Sequence, residues 1–198
     1  SLVLTYPKHD KRRVENLDGI WDFAFLGKVD LELVNVTSIH FQDRMPVPCA
    51  FDALPTYAGN RGVAAYRKIV EVTPGKKAFL HLKSVGMVCS VFVDGEKTAE
   101  HNVAYIDFKA PLPPSSQKER EIVILVDNRF NYELCCLQEH FFDFYHYGGI
   151  LRSIDLHEVA DIHLDSVLVK IDEHLSGKVT LKATFDGALT KKMSLDLK

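Results

Sequence analysis

Residues 121–127 read EIVILVD, and every position from Ile122 to Val126 is apolar. A strand with one wet face alternates apolar and polar residues at period two. This run does not alternate, so it predicts a central strand covered on both faces. A chain with such a strand must supply a layer on each side of it, and the rest of the sequence offers more strands. IWDFAFL (20–26) alternates in part, and AAYRKIVEV (64–72), KAFLHLK (77–83) and VCSVFVD (88–94) are rich in β-branched and aromatic residues. Asp94-Gly95, between SVFV and EKTAE, is a two-residue hairpin signal, because both central positions of that turn need positive φ. APLPPSSQKERE (110–121) reads as a loop, and YELCCLQEH (132–140) is the one stretch with room for a helical turn. Many short strands without intervening helices predict an all-β sandwich.

The pattern shifts near residue 160. Beyond it SVLVKID, GKVTLKATF and MSLDL alternate cleanly, with Val179, Leu181, Ala183 and Phe185 on one face and Thr180, Lys182 and Thr184 on the other, and a turn signal, Asp186-Gly187, follows. Two or three one-faced strands cannot bury their own apolar side without an opposing sheet. Residues 160–198 are therefore expected to open a second sandwich that the chain cuts short. The alternative is that they pack on the first domain or on another copy of the chain.

Composition narrows the function classes. Of 198 residues 46% are hydrophobic and 26% charged, and the net charge of −3 offers no general attraction to nucleic acid or an anionic membrane. The run KHDKRR (8–13) reads as a solvated arm, and no apolar stretch approaches the roughly 18–20 residues that span a bilayer. No basic-then-apolar leader is present, and the compartment stays open between periplasm and cytoplasm. Cys49, Cys89, Cys135 and Cys136 form no C-x-x-C, and the adjacent pair is poorly placed for a disulfide within the chain. His140, His146, His157 and His163 share no strand or helix register, so no metal site and no cofactor are expected. Phosphate loops, metalloprotease helices, nucleophile elbows and nucleotide fingerprints are all lacking. Gly59, Gly62, Gly148 and Gly149 fall in loops, where tight turning accounts for them.

One segment stands out. FFDFYHYGGILRS (141–153) places Asp143 between Phe142 and Phe144, just before Gly148-Gly149. Asp143 is either a turn residue in an aromatic corner or a carboxylate aimed at a polar group that lies against those rings.

Several stretches together resemble the N-terminal sugar-binding domain of family 2 glycoside hydrolases, the β-galactosidase/β-glucuronidase group. LDGIWDFAF (17–25) is similar to the family's Gly-x-Trp-x-Phe opening, and MPVPCAFDAL (45–54) to the Val-Pro segment after it. YAGNRGVAAYRKIVEV (57–72) resembles a glucuronidase-type Tyr-Ala-Gly-Asn stretch leading into a Tyr-Arg strand. LHLKSVGMVCSVFVDGEKTAEH (80–101), with Asp94 where Asn is commoner, VDNRFN (126–131) and FFDFYHYGGILRSIDLHEV (141–159) complete the series in the family's order.

The resemblance implies a jelly-roll domain over 1–159 and the first strands of an immunoglobulin-like domain over 160–198. The family's (β/α)8 barrel, with its two catalytic glutamates, would lie outside this chain. No Asn-Glu dipeptide of the acid/base type occurs, so the chain alone is expected to be inactive, as the non-catalytic part of a retaining exo-β-glycosidase. The resemblance further implies that Asp143 binds hydroxyls of a terminal β-linked sugar, and that the parent enzyme is a homo-oligomer. Trp21 is expected in the core, and Phe142, Tyr145 and Tyr147 in a core or interface. Arg152 is expected to partner a local carboxylate, and Asn60 is a loop residue able to border the pocket. Two other readings compete: an independent carbohydrate-binding module, and a structural or assembly domain that pairs through its sheet edges. The choice between galactoside, glucuronide and another sugar is left open.

Overall fold

A computed structural model describes residues 11–130 and 145–188. The chain forms two compact units, residues 1–158 and 159–198. The strands are β1 (Arg13–Asn16), β2 (Gly19–Gly27), β3 (Asp43–Val47), β4 (Cys49–Ala50), β5 (Val63–Glu71), β6 (Lys77–Leu82), β7 (Val85–Gly86), β8 (Val88–Val93), β9 (Glu96–His101), β10 (Phe108–Leu112), β11 (Glu119–Asp127), β12 (Gly149–Ile150), β13 (Ile154–Val159), β14 (His163–Glu173) and β15 (Lys178–Asp186). Short 3₁₀ turns are the helical elements among the described residues, and none is long and apolar enough to cross a membrane.

The first unit is an antiparallel β-sandwich. A six-stranded sheet runs β3-β2-β5-β11-β8-β9 and a four-stranded sheet β1-β13-β6-β10, with a small third sheet β4-β12-β7. β11 is central as expected, paired with β5 on one edge and β8 on the other. Its residues part by period two. Ile122, Ile124 and Val126 enter the main core with Trp21, Phe23, Tyr66, Leu80, Leu82, Ile154 and Leu156, which come from both large sheets. Val123 and Leu125 enter a second cluster, where Leu31 and Val36 from the 3₁₀ turns cover the sheet's far side. At about 2 kcal/mol for each large buried side chain, those two clusters are the main favourable term for the fold. Trp21 lies in the core as expected, 1% exposed, with its indole N–H donating to the Leu17 carbonyl at 2.9 Å.

Asp94-Gly95 forms the expected hairpin turn, with φ of 50° and 85°. The carboxylate of Asp94 also reaches β11, where it accepts from the backbone N–H of Glu121 at 2.8 Å and pairs with the buried Arg120 guanidinium. An aspartate thus supplies both the turn and a counter-charge, which asparagine would not.

Two expectations change. The loop expected over 110–121 is shorter, because β10 runs to Leu112 and β11 begins at Glu119. Pro111 is accepted in β10 because that strand is the edge of its sheet, where a missing N–H costs least. The basic arm of 8–13 is not wholly solvated either: Arg13 opens β1 and its guanidinium lies 3.2 Å from the Glu158 carboxylate.

Among the described residues the second unit is a two-stranded hairpin, β14 against β15, joined by a turn at 174–177 that ends on Gly177 at φ 70°. Its apolar residues are largely exposed, Leu168 at 63% and Ile171 at 66%.

Candidate functional site

The polar centre of the first unit is a carboxylate. Asp52 sits in the 3₁₀ turn Phe51–Ala53 after β4 and is 2% exposed. It accepts the backbone N–H of Gly148 at 3.0–3.1 Å and the side-chain amide of Asn128 at 2.9 Å, and the Arg61 guanidinium lies 3.5 Å away. Asn128 follows the end of β11 and is fully buried. Its Nδ2 also donates to the Asn60 carbonyl, and its Oδ1 accepts the Gly62 N–H, each at 2.9 Å. Arg61 Nη1 donates to the carbonyls of Asn128 and His146, at 3.1 and 2.7 Å. Every acceptor of the buried carboxylate therefore has a donor, the condition for holding such a charge away from water.

The backbone around this centre packs without room for side chains. A Cβ on Gly148 would lie 2.1 Å from Asn128 Cβ, one on Gly149 2.5 Å from the Cys49 carbonyl oxygen, and one on Gly62 2.2 Å from the Gly27 carbonyl oxygen. Close approach adds to the turning expected of these glycines, which Gly62 and Gly149 show in φ of 153° and 132°. β12 holds Gly149 and Ile150 between β4 and β7, so the chain after residue 145 is tied into the sandwich at once.

Aromatic rings surround the guanidinium. Arg61 stands 4.6 Å from the centre of the Tyr145 ring and 5.5 Å from that of Phe130. Tyr145 packs on Tyr147 at 4.5 Å, and the Tyr105 hydroxyl bonds His146 Nδ1 at 3.2 Å. Burial, helped by the Arg61 charge and opposed by Asp52, lowers the pKa of His146 and keeps its ring neutral. Burial and the Asp52 charge raise that of Tyr105. Tyr145 and Tyr147 are 46% and 44% exposed, so they form a surface rather than the core placement expected of them as one alternative.

Asp143 and Phe142 lie outside the described residues, as do Cys135 and Cys136. The described residues on either side of that segment, Asn128–Phe130 and Tyr145–Gly149, are those that Asp52, Arg61 and Asn128 hold. Asn60 joins this cluster through its backbone carbonyl. Arg152 does not: it is exposed and makes no ion pair among the described residues, and its backbone N–H bonds the Ser84 carbonyl. Arg61 pairs with the local carboxylate in its place. The signals for Asp52, Arg61 and Asn128 in the sequence are weak, each being a polar residue beside a turn, and nothing local links them.

Chemically the cluster is a frame. Its carboxylate is saturated by donors and faces no second acid among the described residues, so these residues by themselves do not make a two-carboxylate catalytic pair. A second group of ionisable residues stands elsewhere, where His81, Asp155 and His157 gather on the four-stranded sheet although they have no common spacing in sequence.

No protein-family model matches the chain. It is 30% identical over 119 residues to a β-galactosidase of Thermoanaerobacter pseudethanolicus, a match covering 57% of this chain and 16% of that protein. A β-glucuronidase from an uncultured Clostridium superposes with a TM-score of 0.75 at 20% identity, over 93% of this chain and 36% of that one. A GH2 β-galacturonidase from Eisenbergiella tayi, solved with galacturonate, gives 0.69 at 23% identity, over 87% and 29%. The chain thus spans about a third or less of the length of these proteins. In sequence and in fold it is similar to family 2 glycoside hydrolases of the β-glucuronidase and β-galactosidase group.

Proposed function

We propose that this chain is the N-terminal, non-catalytic part of a retaining exo-β-glycosidase that hydrolyses terminal β-glycosides, and that Asp143 contributes to the rim of its substrate pocket. The observation that carries this reading is the buried Asp52–Arg61–Asn128 network, which fixes the described chain on both sides of the segment bearing Asp143. A carboxylate that must meet two adjacent sugar hydroxyls needs such a rigid support, and charge-assisted bonds make it worth having. The bond-breaking step would be a double displacement by two closely spaced carboxylates supplied elsewhere in the parent enzyme.

The test is Asp143→Ala in the full-length enzyme. Leaving polar recognition groups unpaired should lower kcat/KM by a factor on the order of 10², with little change in thermal stability. Turnover like that of the wild type would remove Asp143 from the site.

The exposed rings of Tyr105, Tyr145 and Tyr147 favour a second reading, an independent carbohydrate-binding module. Saturable binding of monosaccharides by the 198-residue chain alone would support it, and none would be seen if the surface serves only the parent enzyme.

A further inference from the structure

On β6 and β13 the residues Leu80, Leu82, Ile154 and Leu156 face the core, so by alternation His81, Asp155 and His157 stand on the opposite side of the sheet. Each offers one ligand atom, and the three atoms lie within 4.8 Å of one another. We propose that His81, Asp155 and His157 bind a divalent transition-metal ion, with zinc the best match to the donor set.

Two imidazoles and one carboxylate suit zinc and its neighbours, whereas magnesium and calcium take oxygen ligands. Bonds of about 2.1 Å in a tetrahedral site put ligand atoms roughly 3.4 Å apart, so modest side-chain rotations close this cluster onto an ion. The fourth position is left for water.

The surroundings already orient the ligands. The His81 Nε2 meets the Asp107 carboxylate at 2.7 Å, a carboxylate–histidine contact of the kind that orients metal-ligating imidazoles. The Asp155 Oδ1 accepts from the Asn16 amide at 3.0 Å. The His157 ring stacks on Phe79 with centroids 4.8 Å apart, which fixes its plane. Arg12 and Lys109 also act on His157 and weaken the site for a cation.

Lys83 supplies the link to binding. Its ammonium lies 2.7 Å from the Asp155 Oδ2, at a partly exposed position from which it can turn to water. It stands in as the counter-cation of Asp155, and a metal ion would displace it.

The full-length protein, stripped with a chelator and dialysed, is titrated with Co²⁺ and then Zn²⁺. The expected result is one equivalent of Co²⁺ with the strong visible absorption of a low-coordinate site, released by Zn²⁺. His81→Gln, at a half-buried position the fold should tolerate, weakens binding at least about tenfold. Lys83→Met removes the competing ammonium and strengthens binding several-fold, a gain that adventitious surface histidines would not show. Circular dichroism of each variant separates loss of binding from loss of fold. Equal Co²⁺ affinity in wild type and folded His81→Gln overturns the site. A Lys83→Met protein that binds no tighter than wild type overturns the exchange on Asp155.

Discussion

β11 and β14 are written in much the same alphabet, EREIVILVD and HLDSVLVKIDE, yet one is buried on both faces and the other is exposed along nearly its whole length. The difference is topological. β11 has a strand on each edge and an apolar layer above and below, whereas among the described residues β14 pairs with β15 alone. Apolar strand composition thus states a capacity for burial, and neighbours decide whether it is used.

The contrast can be broken from either side. The largest effect is expected beside the end of β11: Asp52→Ala strands the Gly148 N–H, the Asn128 amide and the Arg61 charge, and should cost about 3–5 kcal/mol. Chemical denaturation of the 198-residue chain measures it, and a loss under 1 kcal/mol would mean the network is not the support described. Ile124→Ala, in the middle of β11 and wholly buried, should cost about 3 kcal/mol through lost burial and a residual cavity. A third test uses pH. Burial holds the folded pKa of His157 near 4, below its ordinary 6.5. Between those values the unfolded chain binds a proton that the folded chain refuses, so stability is full above pH 6.5 and falls as pH drops towards 4. The loss should be on the order of 3 kcal/mol. His157→Gln should flatten that slope, and an unchanged slope would assign it to other groups. The smallest effect belongs to the hairpin, where Leu168→Thr should change the stability of the chain by under about 0.5 kcal/mol. Hydrogen exchange sharpens the same point: β11 amides should open only with global unfolding, and β14 and β15 amides well before.

What the sequence shows in advance follows the range of the interactions. The central placement of β11 and the Asp94-Gly95 turn were legible because each is written within a few residues. Pro111 hid the end of β10, since only the order of strands reveals that it lies at an edge. The frame of the candidate site was not legible. Asp52 meets Asn128 across 76 residues and Gly148 across 96, and Arg61 meets His146 across 85. No local pattern encodes such meetings. Arg152 shows the converse: it stands in the aromatic segment where a carboxylate partner was expected, and Arg61 makes that pairing from another loop.

The place of β11 in its sheet also sets the order in which the molecule can be assembled. Without it, β3-β2-β5 and β8-β9 are two separate pieces with raw edges, and β1 joins its own sheet only through the still later β13. Both sheets thus wait for strands made after most of their partners have left the ribosome. At synthesis rates of about 5–20 residues per second, the early strands spend seconds with unpaired backbone and exposed apolar faces. During birth, then, this sandwich has its greatest need of chaperones just before residue 119, and a chain halted there would be expected to aggregate rather than fold in part.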